Sequence, residues 1–336
     1  MKLTFESNLQ YQQDAIKSIT DLFEGQPLED SILEFDLKEK GTLNLINGVS
    51  NNLILSESQI LSNLQGIQAN NEIKVSDRLD GMHFSIEMET GTGKTYVYLR
   101  TIYELNKLYD FKKFVIVVPS VAIREGVLKN LEITHEHFQT LYDNVPVNFQ
   151  VYDSTKVSTL RGFATTNNIE VLVINIDSFA KDENIINKPN DKLNGQKPVE
   201  YIQATNPIVI VDEPQNMETE KRITAIDNLQ ALCTLRYSAT HKNQYNLTYS
   251  LTPVKAYDLG LVKQIEVDSI IEENAYNDAF VSVESITATK TKVTAKVAIN
   301  SNENNGVKKK TITVKVGDDL YKLSNEREIY ADGYII

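Results

Sequence analysis

Apolar positions along the chain recur with three different spacings. Between residues 9 and 24, Leu9, Ala15, Ile16, Ile19, Leu22 and Phe23 fall near helical spacing, and Gly25 and Pro27 follow. That pattern predicts an amphipathic helix with a defined end. Residues 28–80 are polar and patchy, with Asn47-Gly48 and Asn51-Asn52 as turn signals. They read as turns with one helix near 56–69. From residue 84 short apolar segments take over, several of them unbroken. Strands are expected at Phe84–Met88, Phe114–Val118, Val147–Val151, Val171–Ile174, Ile208–Val211 and, last, Thr234–Tyr237. Helices are expected between them at Thr95–Leu108, Ser120–Leu131 and Ile223–Leu232. Unbroken apolar strands suit a sheet covered on both faces. Their alternation with helices predicts an α/β fold with a mostly parallel sheet, whose ligands sit beyond the carboxyl ends of the strands. After about residue 260, Phe280–Ile286, Val293–Ile299 and Thr311–Val316 alternate in period two around a polar turn at Asn300–Gly306. This segment predicts a small antiparallel hairpin or meander.

Composition narrows the picture modestly. The 336 residues are 41% apolar and 24% charged, as in ordinary globular chains. The apolar runs are far too short to span a bilayer, and Met1-Lys2-Leu3-Thr4-Phe5-Glu6 lacks a signal-peptide pattern. The single cysteine, Cys233, rules out an intrachain disulfide and reads as a small core residue; a cytoplasmic location is the default expectation. A net charge of −12 argues against a surface built throughout to wrap nucleic acid, although a local basic groove is compatible with it.

The chemistry starts at residues 88–95, Met-Glu-Thr-Gly-Thr-Gly-Lys-Thr, directly after a predicted strand. A strand, a glycine loop, Lys-Thr and then a helix form the layout of a phosphate-binding P-loop. Thr90, Gly91, Thr92 and Gly93 would wrap phosphate with backbone N–H groups, and Lys94 would reach the outer phosphates. The Thr95 hydroxyl would ligate Mg²⁺, and the helix start would add its positive dipole end. The first glycine of the strict pattern is replaced by Met88. A P-loop needs a partner that holds Mg²⁺ and activates water. Ile208–Val211 runs into Asp212-Glu213-Pro214-Gln215, with Asp212 suited to the metal shell and Glu213 to orienting water. Tyr237-Ser238-Ala239-Thr240 follows the next predicted strand, and its short hydroxyls can link the site to neighbouring elements. The amide of Gln12 offers a donor and an acceptor that suit an adenine edge.

A P-loop without its first glycine, an Asp-Glu-x-x box, Ser-Ala-Thr and an upstream Gln resemble the ordered motifs of superfamily-2 helicases. The wording is narrower. Phe23–Pro27, Glu87–Thr95, Val117–Val127, Asp212–Gln215 and Tyr237–His241, with Val307–Lys310 and Val316–Tyr321, resemble the restriction (Res) subunit of type III restriction-modification enzymes. The resemblance runs through nearly the whole chain.

It implies a RecA-like P-loop NTPase domain over residues 1–260. Residues 261–336 would begin a second motor domain with an antiparallel β insertion, in a chain that looks truncated. ATP and Mg²⁺ are the implied cofactors. Double-stranded DNA and a modification methyltransferase are the implied partners, with no membrane. Residue by residue, Gln12 would read adenine; Gly91, Gly93, Lys94 and Thr95 would bind ATP-Mg²⁺; Asp212 and Glu213 would carry hydrolysis. Gln215, Ser238, Ala239 and Thr240 would couple nucleotide state to DNA, and Pro119, Ser120 and Arg124 would lie against the DNA backbone. A nuclease domain and an arginine finger from a second motor domain are not visible in the sequence, so poor hydrolysis is expected of these residues alone. Two alternatives stay open: another superfamily-2 helicase, and an inactive scaffold for the methyltransferase. His135-x-His137 is not read as a metal site, because positions two apart on a helix diverge. Lys308-Lys309-Lys310 reads first as a charged sheet edge.

Overall fold

The computed structural model describes residues 5–28, 32–38, 45–263, 279–289, 292–331 and 334–336. The chain divides into two compact units, Met1–Gln264 and Ile265–Ile336.

The first unit runs α1 (Gln10–Thr20), β1 (Ile32–Lys38), β2 (Leu45–Asn51), α2 (Glu57–Asn70), β3 (His83–Met88), α3 (Lys94–Tyr109), β4 (Lys113–Val118) and α4 (Val121–Leu141). It continues with β5 (Val147–Val151), α5 (Thr159–Thr165), β6 (Ile169–Asn175), α6 (Pro198–Gln203), β7 (Ile208–Asp212), α7 (Glu220–Asp227), β8 (Cys233–Ser238), β9 (Leu247–Leu251) and α8 (Pro253–Asp258). Seven strands form one parallel sheet in the order β5-β6-β4-β7-β8-β3-β9.

The unbroken apolar runs sort themselves by pleat. In β4, Phe114, Ile116 and Val118 join a cluster with Ile16 and Ile19 of α1 and Val97 and Leu105 of α3. Val115 and Val117 face the opposite cluster, with Leu160 of α5, Ile202 of α6 and Ile226 of α7. β7 divides likewise, Ile208 and Ile210 on one side and Val209 and Val211 on the other. A strand apolar on both faces is stable only where helices cover both, and they do. The glycine loop and the paired carboxylates accordingly stand at strand ends.

Several expectations need correction. Residues 28–80 hold more than turns and a helix, since β1 and β2 pair as an antiparallel hairpin; the alternation of Leu33, Phe35 and Leu37 with Glu34, Asp36 and Lys38 marks β1 within this otherwise polar segment. The helix expected near 56–69 is α2, started by a Ser56–Gln59 capping box. α4 runs ten residues past Leu131, because Thr134 and Phe138 keep a buried face along its polar second half. Phe138 packs there on Tyr96 and Tyr103, with ring centroids 5.2 and 5.0 Å apart. α7 lies earlier than Ile223–Leu232, as Leu229 is buried in a turn and Gln230 takes φ +52°. Thr234–Tyr237 is not the last strand of the sheet, because β9 adds a parallel edge beside β3.

The second unit is a meander, β10 (Val281–Ala288), β11 (Val293–Glu303) and β12 (Gly306–Lys315), followed by α9 (Leu320–Leu323). The turn is shorter than Asn300–Gly306. Pairing continues to Glu303↔Gly306, with Gly306 at φ +101°. Val297, Ile299, Val314, Leu320 and Tyr330 make its core.

Candidate active site

The strand order places the candidate residues together. β8 lies between β7 and β3, with Asp212 level with Tyr237 and Ser238 level with Glu87. The loops leaving these three strands emerge side by side at their carboxyl ends.

The glycine loop joins β3 to α3 and needs left-handed backbone twice: Gly91 has φ +81° and Gly93, the N-cap of α3, φ +91°. Any side chain is strained there. At Gly93 a Cβ would also stand 2.7 Å from Gln12 Nε2. The first intrahelical bond is Val97 N–H to Gly93 O, so helix geometry leaves the N–H groups of Gly93, Lys94 and Thr95 turned outward. The Thr90 N–H donates to the Glu89 carboxylate at 2.8 Å, and the Thr92 hydroxyl to Glu89 O at 2.6 Å.

α1 packs over this loop. Gln12 is buried, and its Nε2 donates to Thr92 O and to the Tyr11 hydroxyl, both at 3.2 Å; Tyr11 also donates to Thr92 O at 3.0 Å. The amide nitrogen of Gln12 thus braces the glycine loop, while its oxygen takes no hydrogen bond among the described residues.

The paired carboxylates after β7 have different surroundings. Glu213 sits at φ +55°, a left-handed conformation unusual for a side-chain-bearing residue. It pairs with Lys94 at 3.0 Å and accepts from Gln215 Nε2 at 2.6 Å. Ser238 donates to Gln215 Oε1 at 2.7 Å, and Thr240 N–H donates to Ser238 Oγ at 3.0 Å. Lys94, Glu213, Gln215, Ser238 and Thr240 therefore form one unbroken polar chain from the glycine loop to the end of β8. Ala239 lies within its last turn and adds no polar contact. Asp212 is 5% exposed and takes a hydrogen bond from the Tyr98 hydroxyl at 3.2 Å. Burial pushes its carboxyl up to about 6; Glu213 adds to that push, and Tyr98 and Lys94 oppose it.

A cavity of about 530 Å³ opens on this loop, lined by Gln12, Thr90, Gly91, Gly93, Lys94, Thr95 and Glu213, with Phe5, Tyr96 and Asn130 on its other walls. Asp212 is not among its lining residues. The sequence reading missed Tyr98, although Thr95 and Lys94 lie three and four residues before it, on the same helical face. It also missed the aromatic wall, where Phe5 stacks on Tyr96 at 6.0 Å.

Pro119, Ser120 and Arg124 lie elsewhere. The Ser120 hydroxyl caps α4 by accepting from Ile123 N–H at 3.3 Å. Arg124 pairs with Glu125 at 2.9 Å and lines a separate cavity of about 840 Å³ with Gln150, Tyr152, Asp153, Lys156 and Asp177.

A parallel sheet with a glycine loop after one strand and paired carboxylates after another is the RecA-like P-loop NTPase arrangement. The family model described as "Type III restriction enzyme, res subunit" matches residues 7–243, and the chain belongs to that family. It is 30% identical over 292 residues to the Res subunit of the type III restriction-modification enzyme EcoP15I from Escherichia coli, covering 78% of this chain and 28% of that protein. The EcoPI Res subunit of Escherichia phage P1 is 30% identical over 291 residues, with the same shares. The StyLTI Res subunit of Salmonella typhimurium is 31% identical over 249 residues, 63% of this chain and 25% of that one. The chain thus spans little more than a quarter of the curated relatives it matches. Among the described residues no helix is long and apolar enough to cross a membrane.

Proposed function

We propose that this chain is the ATP-binding motor portion of a type III restriction Res subunit, coupling ATP hydrolysis to movement on double-stranded DNA. In the assembled enzyme a modification methyltransferase would select the DNA and a nuclease domain would cut it, in the cytoplasm. The single observation that carries the reading is the polar chain from Lys94 through Glu213, Gln215 and Ser238 to Thr240, which ties the glycine loop to two strand ends.

The residues suit a nucleoside triphosphate with Mg²⁺. Gly91 and Gly93 keep the loop free of side chains, outward N–H groups start α3, and Lys94, Thr95 and Glu213 line the cavity beside them. When bound, Mg²⁺ would neutralise phosphate charge and polarise the γ-phosphoryl oxygens. Thr95 and Asp212 are the residues to hold it. Lys94 and the loop amides bind phosphate oxygens. Glu213 holds the attacking water and takes its proton at a carboxylate oxygen; Gln215 fixes the other oxygen. Lys94 would exchange its Glu213 partner for phosphate, which frees that carboxylate and shifts Gln215 and Ser238. Gln12 presents an oxygen acceptor that favours a 6-amino purine. The N-terminal edge of α4, with Ser120 and Arg124, is the proposed DNA contact. Acidic Asp153 and Asp177 across that cavity confine it to the edge.

The test uses the complete Res subunit with its methyltransferase. Lys94→Ala should reduce DNA-stimulated ATP hydrolysis at least 100-fold and abolish ATP-dependent cleavage. A variant that still cleaves DNA with ATP dependence would overturn the assignment.

A further inference from the structure

Tyr98 is fully buried, yet it carries a hydroxyl where phenylalanine would fill the same volume. A buried hydroxyl costs free energy unless it is partnered. Its partner here is a residue of the proposed cation site. The Tyr98 hydroxyl lies 3.2 Å from Asp212 Oδ2. A phenol has one proton to give. That proton goes to the Asp212 carboxylate.

The ring cannot swing away. Tyr98 stands edge-on to Tyr237, with ring centroids 5.5 Å apart at 60°, and the Tyr237 hydroxyl reaches Thr101 Oγ1 at 3.3 Å. Tyr237 immediately precedes Ser238, the fourth member of the polar chain. Asp212 meanwhile does not line the cavity that Thr95 lines. Among the described residues, Tyr98 is the side chain that hydrogen-bonds its carboxylate.

We infer that Tyr98, one helical turn beyond Thr95, is a positioning residue that fixes the Asp212 carboxylate for the divalent cation of this site. The inference rests on the ATP-Mg²⁺ reading above. It assigns Tyr98 no contact with the nucleotide. Outer partners of metal ligands commonly change metal affinity 10–100-fold when removed.

The experiment titrates Mg²⁺ against a fluorescent ATP analogue, mant-ATP, on the full 336-residue chain and its Tyr98→Phe variant. The Mg²⁺ concentration for half-maximal tight binding should rise about 10-fold or more in the variant. Affinity for mant-ATP in EDTA should stay within twofold of the wild type. An unchanged Mg²⁺ requirement overturns the inference. So does an equal loss in EDTA, which a general packing defect would give. Should Tyr98→Phe not fold, 3-fluorotyrosine placed at position 98 keeps the hydroxyl. Its ¹⁹F resonance should move when Mg²⁺ joins ATP-saturated chain but not when ATP is added in EDTA; a resonance that ignores Mg²⁺ overturns the inference. A wild-type chain that binds no mant-ATP even with Mg²⁺ would sink the ATP reading itself, and the inference with it. Normal wild-type binding with a silent Tyr98 variant would sink the inference alone.

Discussion

Every residue of β4 and β7 is buried, whereas every residue of β10 is exposed. Both regions are sheet, and both are rich in β-branched side chains. The parallel sheet is covered on two faces, so its polar groups are driven to the strand ends, where they meet as a site. The meander buries one side chain set around Val297, Ile299 and Tyr330 and leaves Thr, Ser and Lys along the rest. A sheet closed on both faces concentrates chemistry at its ends, while a sheet covered on one face spreads polarity along its length. Stability should respond to substitution accordingly.

The sharpest departure from this contrast is Arg236, a charged residue inside β8. It pairs with Glu218 at 2.9 Å, the two side chains being 5% and 2% exposed, and its guanidinium lies 4.9 Å from the centre of the Tyr245 ring. Glu218 also accepts from Asn243 at 3.0 Å. Removing one partner of a buried pair strands the other charge. Arg236→Met should cost about 3–5 kcal/mol in urea unfolding, and Arg236→Met with Glu218→Met should recover most of it. A single variant that loses under about 1 kcal/mol would mean that water reaches Glu218.

The small core of the second unit comes next. Tyr330 accepts from Asn300 N–H at 3.0 Å and donates to Phe280 O at 2.7 Å, pinning the meander to the segment after α9. Ile299→Ala should cost about 3 kcal/mol. Amide exchange should quicken in β10–β12 while β4 and β7 keep their protection. Equal loss of protection in both would show that the two units unfold together.

Lys113 tests the parallel sheet by pH. Fully buried at the start of β4, it donates to Phe163 O at 2.6 Å and Thr166 O at 2.5 Å, at the end of α5. Burial lowers its ammonium to about 8 from 10.5, a shift that Glu170 partly opposes. Between those values the unfolded chain holds a proton that the native lysine has released. Its burial cost is thus full below about pH 8 and fades as pH rises toward 10.5. Compared with Lys113→Met, the wild type should gain roughly 2–3 kcal/mol across that window. A difference that stays flat with pH would place the ammonium in water.

The same contrast explains what the sequence made legible. β4, β6 and β7 carry continuous apolar runs, and the alternating β3, His-Phe-Ser-Ile-Glu-Met, leads straight into the glycine loop; hence the sheet, and the P-loop after β3, could be read directly. β9, Leu-Thr-Tyr-Ser-Leu, is an edge strand of mixed character beside β3 and was passed over. The β1–β2 hairpin carries a period-two signal in Leu33-Glu34-Phe35-Asp36-Leu37-Lys38, but one that is short and set in polar sequence, and it was passed over too. At the site, Lys94, Asp212, Glu213, Gln215 and Ser238 were each readable from motif wording. Their order of contact was not, because it depends on β8 lying between β7 and β3. Tyr98 was hidden for another reason: an aromatic on an amphipathic helix reads as core, and only the distance to Asp212 shows that its hydroxyl is used.

The smallest predicted effect tests the other half of the comparison. Val281, Val283 and Ile286 of β10 are 40%, 59% and 68% exposed. If that strand contributes backbone pairing and little side-chain burial, trimming its apolar groups removes almost no transfer free energy. Val283→Thr keeps the β-branched shape and strand preference and replaces a methyl by a hydroxyl that water can reach. Its unfolding free energy should stay within about 0.5 kcal/mol of the wild type. The same exchange at Val297, whose side chain is buried opposite Ile312, should cost about 1–3 kcal/mol, since the new hydroxyl would be taken out of water. Equal costs at the two positions would break the comparison, by showing that both faces of the meander are covered.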